Sequence, residues 1–406
     1  MRRPRHSFLR RQGGWLALLS LLALAAGCAT PGRPGAERLA LKRVPAVPAD
    51  QTRADRAIVA AFFAANGARL DAAQLEKILP PAARPAQMDR NALRAAARAN
   101  HRVLAVVKAD EPELARWLAG NRPLLVLLPP SLRYEPNAAA YVPVAWDRAK
   151  GTLELLDGNG EIQTLPETEF FARREPLKHA ALCLLKPGAL ERMEPTRDQK
   201  LVLADFWFDQ GFYRRAQAAY VAIQEDAFAG STDVEALVGQ GNVLVRKKRY
   251  KEAIPVFRAA LALEPDNPRI LNNLAYCMLN GGGELLTALR HAAKADQLDP
   301  ENPLVLETLG SINLKLGDAE AAARFLERAW ARALKRPPEV QIAIMDQLVR
   351  AWIGAQRRDL AWQVAEYRKR AFPDYRFPKD ILRTFPALRQ PLEPLPEKGE
   401  KPRPRS

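Results

Sequence analysis

The second half of the chain repeats itself. In "ALVGQGNVLVRKKRYKEAIPVFRAALALEPDN", apolar residues large and small stand at Leu237, Gly241, Ala253, Phe257 and Ala260, and Pro265 closes the set. The next stretch, "PRILNNLAYCMLNGGGELLTALRHAAKADQLDPEN", places Leu271, Leu274, Ala275, Ala288, Ala292, Ala295 and Pro300 in the same order. A third, "PLVLETLGSINLKLGDAEAAARFLERAWARA", follows with Leu306, Leu309, Gly310, Ala322, Leu326 and Ala329. A period of about 34 residues belongs to a two-helix unit that cannot bury its apolar face alone and must stack on its neighbours. The small residues let two antiparallel helices approach, Phe257 fills the space between them, and the proline stops the second helix. One extra residue in Gly281–Gly283 falls at the turn inside its unit, where insertions are tolerated.

These positions resemble those of tetratricopeptide repeats. Weaker copies flank the three, with Leu203, Ala204, Trp207, Ala216 and Tyr220 upstream and Leu348, Trp352, Ala361, Ala365 and Pro373 downstream. About five units over 197–375 are expected, the degenerate end units capping the stack. Leu, Ala, Gly and Pro at these places are packing residues. Any function falls to polar side chains on the first helix of each unit, which by spacing are Asn242, Arg246, Asn272, Tyr276, Asn280, Glu307 and Lys315. They could grip an extended peptide or its terminal carboxylate. A solvated helix face without a ligand is the other reading. Residues 376–406 form a Pro-rich, charged tail with no apolar period and are expected to be disordered.

The front of the chain reads as a targeting segment. "MRRPRHSFLRRQGG" is a basic leader, and "WLALLSLLALAAG" is an apolar stretch too short to span a bilayer comfortably. It ends in Ala25-Ala26-Gly27-Cys28, which resembles the lipobox of bacterial lipoproteins. The resemblance implies a signal peptide over 1–27, cleavage before Cys28, lipid on its sulfur, and a linker over 28–43. Several acyl chains together give stable membrane anchoring. Ala29, rather than Asp, follows the cysteine, so the implied address is the outer membrane, facing the periplasm. A plain secretory signal cut after an A-x-A-like site is the alternative.

Five of the sixteen net positive charges lie in that leader. No basic run is interleaved with aromatic residues, so the remaining charge reads as a solvated surface near anionic lipid or cell-wall polymer, not as a nucleic-acid footprint. The expected partners are other envelope proteins or peptides, with the membrane engaged through the lipid. Besides Cys28 the chain holds two cysteines, Cys183 and Cys277, inside the apolar runs "ALCLL" and "LAYCML". They read as buried thiols. The four histidines are scattered without ligand spacing, so neither a metal nor a cofactor is expected.

Between residues 44 and 190 helix signals come first and strand signals later. Helices are expected over 53–65, 71–79, 88–100 and 111–120, with Thr52 and Asp55 as the start signal of the first. Strands are expected in "HRVLAVVK", "RPLLVLLP", "AYVPVAWD", "GTLELLDGNG" and "HAALCLLKPG", with turns at Asp147–Gly151 and Asp157–Gly160. The fold class is therefore an α+β papain-like domain followed by an all-α tetratricopeptide-repeat solenoid.

This order resembles exported lipoproteins that join a bacteriocin-processing, papain-like cysteine peptidase domain to tetratricopeptide repeats. In that family a Val-Pro loop leads to a cysteine at a helix N-terminus, where the dipole lowers its pKa. A later strand carries the histidine, and the next turn supplies the Asp or Asn that orients it. Here Val44-Pro45 opens the loop, "NRPLLVLLPP" and "YVPVAWD" stand for the strands, and Asp157 lies in the turn "LELLDGNG". Counted from Val44 and from Gly67, the nucleophile position falls on Ala54; counted from Asp147, the histidine position falls on Ala139. The oxyanion Gln position falls near Ala49, with Gln51 close by. Alanine neither attacks a carbonyl nor shuttles a proton, so the resemblance implies a catalytically inactive domain with Asp157 as a remnant. An active peptidase using Thr52 or Cys183, and a structural domain unrelated to peptidases, are the alternatives.

Overall fold

Strand Ala139–Asp147 organises the first half of the molecule. The computed structural model describes residues 38–48, 53–81, 88–129, 139–226 and 232–390, and the chain divides into two units between Lys186 and Pro187. Within the described part of the first unit the order is β1 (Arg38–Ala40), α1 (Ala54–Ala65), α2 (Ala72–Ile78), α3 (Arg90–Ala99), β2 (Val103–Lys108), α4 (Glu111–Ala119), β3 (Leu124–Leu128), β4 (Ala139–Asp147), β5 (Thr152–Leu156), β6 (Ile162–Pro166), α5 (Glu167–Arg174) and β7 (Ala180–Leu185). The strands run β2-β7-β3-β4-β5-β6, every pairing antiparallel. One edge of β4 pairs with β3 near its start and with β1 near its end, while β5 takes the other edge. A bulge between Pro143 and Ala145 accommodates the proline, and the carbonyl of Val144 there accepts Leu41 N–H at 2.8 Å.

The apolar run of α1 explains its position. Ile58, Val59, Phe62 and Phe63 are fully buried, and α1 lies against β3 and β4. Trp146 of β4 is also fully buried, its indole N–H donating to Glu167 Oε2 at 2.9 Å. Arg174, at the end of α5, is buried with no carboxylate bonded to it among the described residues. Its guanidinium donates to the carbonyls of Ala109, His179 and Ala180 and lies over Phe170, and burial pulls its pKa down to about 10.

Three expectations for this unit need correction. Residues 28–43 are not all linker, because Arg38–Ala40 is strand β1; three residues carry too little alternation to announce a strand. Strand β6 and helix α5 follow β5 where no element was expected, since "IQTLP" exposes three of its five side chains. The N-cap of α1 is Arg53, whose side chain makes no capping bond; Thr52 lies outside the described residues.

Among the described residues of the second unit a short helix, α6 (Pro187–Glu191), precedes five antiparallel pairs: α7/α8 (Arg197–Asp209, Tyr213–Glu225), α9/α10 (Val234–Arg246, Tyr250–Leu263), α11/α12 (Pro268–Gly281, Leu285–Leu298), α13/α14 (Pro303–Leu316, Ala319–Ala333) and α15/α16 (Pro338–Gly354, Arg358–Ala371). The boundary falls before α6, so residues 187–190 belong here and not to the first unit. Asn267 and Asn302 cap α11 and α13, each followed by proline at the first helical position. A Cβ on Gly241 would come within 2.6 Å of the Phe257 ring, so the close crossing of α9 and α10 requires glycine.

The expected disordered tail begins too early. Helix α17 (Lys379–Thr384) and a following turn to Arg389 bury Ile381, Phe385 and Leu388 against the last pair. The buried Arg368 of α16 pairs with Asp346 at 2.8 Å and donates to the carbonyls of Tyr375 and Arg376; Lys369 donates to those of Leu388 and Gln390. The rest of the tail, 391–406, lies outside the described residues.

Candidate functional site

The helix junction of the first unit is built around Ala54, the first residue of α1. Arg53 donates to the carbonyls of Pro80 and Pro81, both at 2.8 Å, and pairs with Asp55. Asp55 in turn accepts the backbone N–H of Arg56 at 2.9 Å, and the Arg56 guanidinium reaches the Leu79 carbonyl. Two arginines thus clamp the helix start onto residues 79–81. On the opposite side the turn after β5 presses against it: a Cβ on Gly158 would sit 1.7 Å from the Ala54 carbonyl oxygen. No side chain fits in that gap.

Asp157 is buried and committed to its own turn. Its Oδ1 accepts the N–H groups of Asn159 and Glu161, both at 2.9 Å, and its Oδ2 accepts Gln163 Nε2 at 3.1 Å. Ala139 is the first residue of β4, opposite Leu128 of β3. Cys183 is buried in β7, its thiol directed to the Ala105 carbonyl, and burial pushes its pKa up to about 12. A thiol so held is protonated at neutral pH and is a poor nucleophile. Cys277 is buried in the second unit, also pushed up to about 12 by burial. Cys28, Ala49 and Gln51 lie outside the described residues. Among the described residues no group of three or more His, Cys, Asp or Glu could hold a metal ion, and no helix is long and apolar enough to cross a membrane.

The seven candidates on the repeats share one face but not one condition. Register places them in three columns along α9, α11 and α13. Asn272 and Glu307 share the first column with Val238; Asn242 and Tyr276 share the second with Ser311; Arg246, Asn280 and Lys315 form the third. Four of them are engaged inside the fold. Asn242 Oδ1 accepts Asn273 Nδ2 at 3.1 Å, Arg246 reaches the Tyr213 hydroxyl at 3.3 Å, Asn280 donates to the Tyr276 carbonyl at 2.9 Å, and Lys315 donates to the Leu279 carbonyl at 2.7 Å.

The other three are different. Asn272 Oδ1 is buried with no hydrogen-bond partner among the described residues. Tyr276 is 36% exposed and meets Tyr250 edge-on, ring centroids 6.0 Å apart. Burial, with Tyr250 and Glu307 nearby, pushes its phenol up to about 12. Glu307 is half-buried, and desolvation alone pushes its carboxyl up to about 7. Sequence reasoning missed Asn273 and Tyr250, which the repeat period places on packing positions; their roles depend on the neighbouring unit.

Comparison with known proteins identifies the stack. A TPR-repeat family model matches residues 241–282. The second unit is a tetratricopeptide-repeat solenoid. The chain is 36% identical over 100 residues to the TPR repeat-containing thioredoxin TTL4 of Arabidopsis thaliana, covering 25% of this chain and 14% of that one. It is 28% identical over 127 residues to the TPR repeat-containing protein PA4667 of Pseudomonas aeruginosa, covering 31% and 21%. This chain therefore spans less than a quarter of the length of either curated relative. Among solved structures it is similar to TTC0263, a thermophilic TPR protein in Thermus thermophilus, at 18% identity, 48% of this chain, 98% of that one and a TM-score of 0.38. It is also similar to YrrB, described as a TPR protein with an unusual peptide-binding site, at 19% identity, 48% and 95% coverage and a TM-score of 0.36.

Proposed function

We propose that the chain is a non-catalytic binding scaffold of the bacterial envelope, its repeat face taking an extended peptide segment of a partner protein. Tetratricopeptide stacks present long surfaces suited to such ligands. The carrying observation is Asn272 Oδ1, a buried acceptor without a donor in the middle of that face. An unpaired buried acceptor is costly, and a peptide N–H would satisfy it.

The first unit we read as a peptidase-like domain that has lost its chemistry. Ala54 at the helix start, Gly158 wedged against it and Asp157 engaged by three donors of its turn and of β6 support that reading. The protonated, buried Cys183 speaks against the peptidase alternative. Export and lipid attachment at Cys28 complete the proposal, with the mature protein on the outer membrane facing the periplasm.

Two experiments test it. Fluorescence anisotropy with a panel of labelled peptides should reveal binders that Asn272→Ala weakens several-fold; a panel without binders defeats the scaffold reading. Labelling cells with radioactive palmitate should mark the protein and leave Cys28→Ser unmarked. Equal labelling of both would defeat the anchor.

A further inference from the structure

Glu307 stands out because it is uncompensated. The chain carries a surplus of sixteen positive charges, and several acidic groups elsewhere in the repeats are paired, Asp233 with Arg197, Glu301 with Arg328 and Arg332, and Asp346 with Arg368. Glu307 has no such partner among the described residues, and nothing offsets the desolvation acting on its carboxyl. The two cations in the third column are occupied, Arg246 with the Tyr213 hydroxyl and Lys315 with the Leu279 carbonyl.

What surrounds Glu307 is suited to a cation. In the preceding unit Tyr276 stands one turn beyond Asn272, in the column next to that of Glu307, and its ring, braced edge-on by Tyr250, remains partly open. A cation over a tyrosine face and beside a carboxylate gains from both. One turn back on α11, in the same column as Glu307, Asn272 offers its vacant acceptor.

We infer that the Tyr276–Glu307 patch seats a lysine or arginine side chain of the bound peptide, whose neighbouring backbone N–H is taken by Asn272. This rests on the peptide-scaffold reading and narrows it: the face selects a basic residue within the ligand, not its terminal carboxylate. The guanidinium or ammonium supplies the charge that the fold withholds from Glu307, and the rest of the peptide runs along α9, α11 and α13.

The test is a positional-scanning library of acetylated, amidated octapeptides panned on the full-length protein, beside the same library with free C-termini. Lysine and arginine should be enriched at one position in both libraries. Glu307→Gln should abolish that enrichment and weaken a selected lysine peptide about tenfold, as expected for loss of one charge-assisted contact. Asn272→Ala should weaken all ligands without changing the preferred residue. Circular dichroism melts confirm that both variants are folded. Binding without a basic preference, a basic preference that survives Glu307→Gln, or binding only with free C-termini overturns the inference and leaves the scaffold standing. No peptide bound in either library defeats the scaffold, and this inference with it.

Discussion

The helix junction at Ala54 and the repeat face at Glu307 handle polar groups in opposite ways. At the junction each polar side chain named above is answered locally: Arg53 and Arg56 by the carbonyls of 79–81, Asp157 by two N–H groups of its own turn and by Gln163 of β6. On the repeat face the buried Asn272 Oδ1 has no hydrogen-bond partner and the half-buried Glu307 no ion-pair partner among the described residues. A region that satisfies itself is finished when it folds. A region that leaves acceptors unpaired is completed by something else. That contrast is what supports the proposed binding face on the second unit.

The comparison can be broken at three places, taken from the largest effect down. Gly158→Ala places a Cβ where the Ala54 carbonyl already lies, and backbone cannot yield as a flexible side chain would. We expect a loss of about 3 kcal/mol or more, read by denaturant unfolding of the full chain. An unchanged midpoint would mean that the wedge is loose and the junction open.

Glu307→Gln should act in the other direction. Burial raises the folded pKa to about 7 from an ordinary value near 4.5, so the folded state prefers the protonated form. Below the lower value the carboxyl is neutral in both states, and Gln gains nothing. As pH rises from 4.5 to 7 the cost of a buried carboxylate develops, and above 7 it is complete. The variant should therefore be more stable by about 1–3 kcal/mol at pH 8 and equal to the parent at pH 4, as measured by chemical denaturation at both values. A destabilised variant at pH 8 would assign Glu307 a partner.

The smallest expected effect is none. Ala54→Cys returns a thiol to the junction, but position 139 is alanine and the Asp157 carboxylate is already engaged by three donors. Hydrolysis of fluorogenic peptides should stay at background. Turnover would show that a base lies within reach.

The repeats were legible because each unit solves the same packing problem with the same residues, so Gly241 against Phe257 reads as a close crossing from the sequence alone. The columns of polar residues followed from the same register. Which of them were free did not. Asn242 is occupied by Asn273 and Lys315 by Leu279, and such pairings depend on a neighbour a full unit away. In the first unit, helices with strong apolar runs were legible. Strand β1 is too short to carry a period, and the clamp on α1 comes from arginines, whose long side chains find carbonyls that no local rule specifies. Helix α17 did carry a signal, since Ile381, Phe385 and Leu388 follow helical spacing. The prolines and charges around it concealed that stripe.

Arg368 and Lys369 have a mechanical consequence. Adjacent on α16, they hold four carbonyls of the segment that follows, at positions 375, 376, 388 and 390. Tension applied at the C-terminal end would be met first by Lys369, at carbonyls 388 and 390, then by the apolar contacts of α17, and behind that helix by Arg368, buried against Asp346 and holding carbonyls 375 and 376. The stack therefore ends in a tether point: a load on the tail is carried into the solenoid, and the last helix is not simply peeled away.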